Sequence, residues 1–196
     1  ILSAAMRTEQ GWLSPVAVPI AADSMVVAHP SISADELTLY FVSNIPGGYG
    51  GKDLWKVTRT TPSDSWGEPI NLGPEINTPM NEMFPFIHSD GTLYFSSDGH
   101  PGMGGLDIFR ATPLEDGDGW KVENMRYPIN SPSDDFGIAF EKEREAGYFS
   151  SRRRDLGARG GDNVYLFYLP EILFNLIGEV RDDKSGGLLA DANVQL

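Results

Sequence analysis

The sequence predicts an all-β protein: a partial β-propeller of about three blades, each of four antiparallel strands, followed by the first strands of a β-sandwich. Three observations carry this. A strand motif recurs with a spacing of 54 residues, as Leu39-Tyr40-Phe41-Val42-Ser43, Leu93-Tyr94-Phe95-Ser96-Ser97 and Gly147-Tyr148-Phe149-Ser150-Ser151. Downstream of each copy comes a glycine pair followed by a turn aspartate or its equivalent: Gly50-Gly51-Lys52-Asp53-Leu54-Trp55, Gly104-Gly105-Leu106-Asp107-Ile108-Phe109 and Gly160-Gly161-Asp162-Asn163-Val164-Tyr165. No stretch long enough for a helix shows apolar residues at the 3.6-residue period.

The elements follow in order. Trp12, Trp66 and Trp120 share the 54-residue spacing, so Trp12 to Val18 reads as an outermost strand without a blade of its own. In the first full unit, runs of β-branched and aromatic residues between Gly, Pro, Asn and Asp clusters place strands at Val26 to Ser33, Leu37 to Ser43, Asp53 to Thr58 and Trp66 to Leu72. Ile76-Asn77-Thr78-Pro79 and Ile129-Asn130-Ser131-Pro132, 53 residues apart, mark the passage from one unit to the next. Blades are expected near 26–73, 83–127 and 136–169, within a propeller region spanning 1–170. A solenoid is the rival, but its repeats are usually about 20–45 residues and seldom hold four strands. Closed propellers have about four to eight blades, so three do not close a ring. Blades lying outside this sequence, or copies that supply each other's missing strand, would complete it, and the first is favoured.

Length and charge narrow the function. With 196 residues the chain can bury one sizeable core or one domain and the start of another. A formal charge of −13 repels nucleic-acid phosphates and anionic lipid before any specific contact forms. The absence of cysteine removes disulfides, thiolate chemistry and thiolate metal ligands, and leaves the compartment open. No apolar run approaches the roughly 20 residues of a spanning helix, the longest lying near Ile172 to Ile177 with Asn175 inside it, so no direct membrane insertion is expected. The chain opens at Ile1 with no initiator Met or signal sequence and is read as a piece of something longer.

His29-Pro30-Ser31-Ile32-Ser33-Ala34-Asp35 before Leu39-Tyr40-Phe41, and Phe84-Pro85-Phe86-Ile87-His88-Ser89-Asp90-Gly91 before Leu93-Tyr94-Phe95, resemble the WD-like propeller repeats of the TolB type. The Gly-Gly-x-Asp-Ile/Leu-aromatic variant resembles the propellers of OmpA-family envelope proteins of Bacteroidota, among them the PorE component of type IX secretion. The third copy departs from the pattern: Phe136-Gly137-Ile138-Ala139-Phe140 lacks the proline, and Glu141 to Ala146 replaces the Ser-Asp-Gly turn, as in a degenerate or terminal blade. Beyond Pro170 the pattern changes. Gly178-Glu179-Val180-Arg181-Asp182, Ser185-Gly186-Gly187-Leu188-Leu189 and Ala192-Asn193-Val194-Gln195-Leu196 resemble the opening of a carboxypeptidase-regulatory-like domain, a small β-sandwich, so 171–196 is read as a linker and the start of that module. The resemblance implies a periplasmic, outer-membrane-associated protein whose partners are envelope proteins; peptidoglycan would be reached only through a domain not present here.

Asp53, Asp107 and Asp162 open the third strand beside a glycine pair, where a carboxylate closes a turn by accepting backbone N–H groups. A calcium site would need about 6–8 oxygen ligands, more than one such loop supplies, and a site needed once would not recur in every blade. The glycine-rich loops Gly47 to Lys52 and Asp98 to Gly105 lead into strands, not helices, which disfavours phosphate cradling. His29, His88 and His100 are the only histidines; His29 and His88 fall on innermost strands but are not repeat equivalents, so no metal and no cofactor are expected. No Gly-x-Ser-x-Gly elbow is present. Arg152-Arg153-Arg154 cannot all converge on one ligand, because neighbouring residues on a strand alternate in direction; the run reads as a solvated loop, with an exposed docking patch as the second reading.

Trp12, Trp66 and Trp120, like the Tyr-Phe pairs, are expected to fill the wedges between blades. Pro46, Tyr49, Met80, His100 and Met103 lie in loops, where Tyr and Met suit a protein contact. The candidate binding residues are therefore Tyr49, His100, Met103, Arg152, Arg153 and Arg154. The function expected is a non-catalytic protein-binding scaffold of a periplasmic or outer-membrane-associated complex, in type IX secretion or anchored to peptidoglycan. A carbohydrate-active propeller enzyme is the alternative, distinguished by two carboxylates converging within about 5–10 Å.

Overall fold

The computed structural model describes residues 2–22, 24–115, 117, 119–141, 146–154, 160–169 and 181–188. These form fifteen strands and no helix. Two short hairpins come first: β1 (Leu2–Ala4) pairs with β4 (Val16–Val18), and between them β2 (Arg7–Thr8) pairs with β3 (Gly11–Trp12). Blade one is the antiparallel sheet β5 (Val27–Ile32), β6 (Thr38–Ser43), β7 (Asp53–Thr58) and β8 (Ile70–Asn71). Blade two repeats it with β9 (Glu82–Ile87), β10 (Leu93–Ser97), β11 (Asp107–Pro113) and β12 (Trp120–Asn124). Blade three has three strands, β13 (Asp135–Phe140), β14 (Ala146–Ser151) and β15 (Asn163–Tyr168).

The apolar runs of the middle strands follow from sheets buried on both faces. Successive side chains of a strand point to opposite faces. Leu39 and Phe41 accordingly join Trp55, Val57 and Ile20 in one cluster, with Leu2 and Val18 packed against it. Tyr40 and Val42 join Leu54, Leu72 and Ile76 in another, shared with Leu93, Phe95, Phe109 and Ala111 of blade two. Tyr94, Ile108 and Ile129 repeat that arrangement with Ile138, Phe149 and Phe167 of blade three. Each sheet is thus the lid of the one before it, the packing that a propeller requires.

Each innermost strand carries a bulge at the same place. The register of the first two strands slips between Ala28 and Ser31, opposite Phe84 and Pro85 in blade two, and between Phe136 and Ala139 in blade three. His29, Phe84 and Gly137 sit there with φ of 49°, 53° and 65°. A left-handed residue in a bulge breaks the ladder and re-aims the strand.

Two sequence expectations change. The outer strand of blade one is Ile70–Asn71, not Trp66 to Leu72, because Pro69 offers no N–H to the ladder. Trp66 instead lies under the Arg59 guanidinium, 4.2 Å from its ring centroid. The strand expected over Trp12 to Val18 is Val16–Val18, whereas Trp12 belongs to the separate β2–β3 hairpin and is largely exposed. Its spacing matches Trp66 and Trp120, but it has no blade face to pack against, so it fills no wedge. Of the second module only 181–188 is described, a turn closed by the Arg181–Leu188 bridge; the remainder of that expectation lies outside the described residues.

Candidate functional site

The loops between middle and third strands sit at one end of the blades and are built twice in the same way. The backbone N–H groups of Tyr49 and Gly50 donate to the Asp53 carboxylate, and those of Met103 and Gly104 donate to Asp107 Oδ2 at 2.8 and 2.9 Å. Both carboxylates are buried, so these recurrent aspartates close turns. Asp53 gains a further donor in Asn71 Nδ2 at 2.9 Å, whereas Asn124 donates instead to Pro101 O, leaving Asp107 Oδ1 without a protein donor. Asp162 differs: its carboxylate is exposed and pairs with Arg152 Nε at 2.8 Å.

The following blade locks each loop from above. The Gly51 N–H donates to Met80 O, and Glu82 N–H to Lys52 O; Asp135 N–H donates to Leu106 O in the same manner one blade later. A Cβ on Gly50 would lie 2.3 Å from Thr78 O and 2.4 Å from Met80 O, and one on Gly104 would lie 2.2 Å from Ser133 O. These positions are glycine because another blade's backbone lies against them.

Two residues marked in the sequence only as landmarks turn out to be clamps. Asn77 accepts from Leu54 N–H at 2.8 Å and donates to Leu54 O at 3.0 Å, bonding the third strand as a neighbouring strand would. Asn130 does the same to Ile108, at 2.8 and 2.8 Å. Glu82 and Asp135, at the start of the next inner strands, cap these turns: Glu82 accepts from Thr78 N–H, Thr78 Oγ1 and Ser97 Oγ, and Asp135 from Ser131 N–H and Oγ. Burial pushes the Glu82 carboxyl above its usual range, opposed by the Ser97 and Thr78 donors.

The predicted binding residues divide. Tyr49 and Met103 are exposed on these locked loops, and Met80 is exposed on the connection between β8 and β9. His100 is a correction: its ring packs 5.7 Å from Phe95 and 5.1 Å from Phe109, and its Nε2 reaches Ile76 O at 2.9 Å, so it is a part of the joint between blades one and two. Arg153 is a second correction to both the solvated-loop and the docking-patch readings. It is 9% exposed, bonds Pro128 O, Ile129 O, Ser151 Oγ and Asp135 Oδ1, and lies over the rings of Phe149 and Tyr165. Its neighbours behave as expected of surface residues. Arg152 is exposed and pairs with Asp134 and Asp162, and Arg154 is exposed. Alternation along the chain sets the middle arginine apart from its two neighbours, and the acceptors that meet at Arg153 draw that one inward.

On the inner strands His29 stacks on Phe84 at 4.0 Å, and Phe84 lies 5.1 Å from Phe136. Partial burial, with Lys52 nearby, lowers the His29 pKa. His88 faces elsewhere, bonding Asp90 at 2.9 Å and meeting Phe140 edge-on. Among the described residues no group of three His, Cys, Asp or Glu is placed to hold a metal.

No protein-family model matches the chain, and no curated protein matches it. Among solved structures, the Hadza microbial sialidase Hz136 is similar in fold at 18% identity and a TM-score of 0.44. That similarity covers 84% of this chain and 37% of the sialidase, so the chain spans well under half of that protein's length.

Proposed function

We propose that the chain is a non-catalytic protein-binding scaffold of a periplasmic or outer-membrane-associated complex. The observation that carries this reading is the exposure of Tyr49 and Met103 on loops whose backbones are held by buried aspartates and by the next blade, with Met80 exposed on the connection that accepts from Gly51 N–H. Rigid loops present apolar side chains without the entropy cost of ordering them on binding. The buried carboxylates nearby, Asp53, Glu82 and Asp135, are occupied in holding turns, which favours a scaffold over an acid–base pair.

The test is capture from native envelope extracts with this chain as bait, beside a Tyr49→Ser/Met103→Ser variant. The scaffold reading expects one envelope or secretion-machinery protein retained by the unmodified chain and lost with the variant. Turnover of a glycan by the purified chain, with no retained protein, would replace it by the carbohydrate-active alternative.

A further inference from the structure

Blades one and two repeat each other closely, so a group that is paired in one and free in the other stands out. Lys56 and Arg110 are counterparts, facing Tyr40 and Tyr94 across the sheet. On its other side Arg110 faces Glu123 and pairs with it at 3.1 Å, whereas Lys56 faces Ile70. Lys56 is half-buried, and among the described residues no carboxylate pairs with it.

Trp66 and Trp120 form a second such pair. The Arg59 guanidinium covers Trp66, but the counterpart of Arg59 is Pro113, which faces Trp120 across β11 and β12 and carries no charge. Among the described residues no cation lies over the Trp120 ring, and neither its indole N–H nor the Tyr40 hydroxyl has a hydrogen-bond partner.

These free groups come from different blades and line one cleft of about 660 Å³ at the joint between them, together with Leu72, Pro113 and the exposed Glu75. Its size is that of small-molecule sites, roughly 300–1,000 Å³. The cleft lies where β11 ends at Pro113, at the opposite end of the strands from the loops of Tyr49 and Met103. A half-buried ammonium attracts an anion more strongly than an exposed one, because less water screens it. The open Trp120 ring offers its electron-rich face to C–H groups, and Glu75 offers an acceptor to hydroxyls.

We propose that this cleft binds a uronic acid, a pyranose ring that bears a carboxylate. The carboxylate pairs with Lys56 and accepts from the Tyr40 hydroxyl, the C–H face of the ring lies on Trp120, and ring hydroxyls donate to Glu75. An aromatic acid would match Lys56 and Trp120 but bring no hydroxyl to Glu75. A neutral sugar would match Trp120 and Glu75 but leave Lys56 unpaired.

The experiment is calorimetric titration of this chain with glucuronate, glucose and benzoate at low salt. Glucuronate is expected to bind at least about tenfold more tightly than either of the others, the scale of one charge-assisted hydrogen bond. Lys56→Met keeps the apolar stem and should bring glucuronate down to the level of glucose, while Glu75→Ala should weaken both sugars. Circular dichroism and the urea midpoint check that both variants fold. Absence of glucuronate binding to the unmodified chain, equal affinity for all three compounds, or glucuronate binding untouched by Lys56→Met overturns the proposal. Protein capture through Tyr49 and Met103 is measured on other residues, so the two readings fail separately.

Discussion

Asn130 offers the most exacting test of how the blades are held. Its side chain is completely buried and bonds the end of β11, accepting from Ile108 N–H and donating to Ile108 O at 2.8 Å each, with a third bond to Asn124 Oδ1 at 2.9 Å. Asn130→Ala orphans the N–H of Ile108, itself 0% exposed, while Ile108 O keeps the Met125 N–H at 3.0 Å. A buried backbone group left unpaired costs about 1–3 kcal/mol, so with one such group the expectation is about 2 kcal/mol. At a urea dependence of about 2 kcal/mol/M this lowers the midpoint by about 1 M. Asn77→Ala in blade one should match it, because its bonds to Leu54 are the same. Asn130→Asp should be at least as costly at pH 7, since a carboxylate there faces Ile108 O, and it should recover in part towards pH 4 as protonation restores one donor. A loss below about 1 kcal/mol in both alanine variants would refute the clamp.

Other residues make separate claims. Gly104→Ala drives a Cβ into Ser133 O and Ser131 O and should cost about 1–3 kcal/mol in thermal or urea unfolding; no change would mean that the joint between blades two and three is loose. Arg153→Met leaves Asp135 as a buried charge and should cost about 3–5 kcal/mol, whereas Arg152→Ala, one residue away and exposed, should leave the unfolding midpoint little changed; equal effects would contradict the assignment of only one of them to the interior. Glu82 has a folded pKa raised by burial, so its proton is held more tightly folded than unfolded. That contribution is complete below the ordinary value of 4.5 and is lost as pH rises through the raised value. Relative to Glu82→Gln, the unmodified chain should therefore lose stability between pH 4 and pH 7, and a pH-independent difference between the two would remove the burial argument.

Much of this architecture was legible in the amino-acid order because a blade is a local object. Its strands are neighbours in the chain, so spacing, apolar runs and turn residues located β6, β7, β10 and β11 closely, and the turn-closing role of Asp53 and Asp107 followed from short-range chemistry. The third copy's missing proline and turn likewise announced a blade unlike the others. What no spacing could supply was contact between blades. Asn77 and Asn130 reach back more than twenty residues to bond a strand, Gly50 and Gly104 are small because of a loop in the next unit, and Trp12 keeps the repeat spacing while having nothing to pack against. The three arginines show the division most plainly. Sequence alternation established that they cannot share one direction, but which of them would be drawn inside depended on the carbonyls of Pro128 and Ile129, the Asp135 carboxylate and the rings of Phe149 and Tyr165 meeting at one point. A buried cation is tolerated only where acceptors converge, and that convergence is a property of the assembled blades.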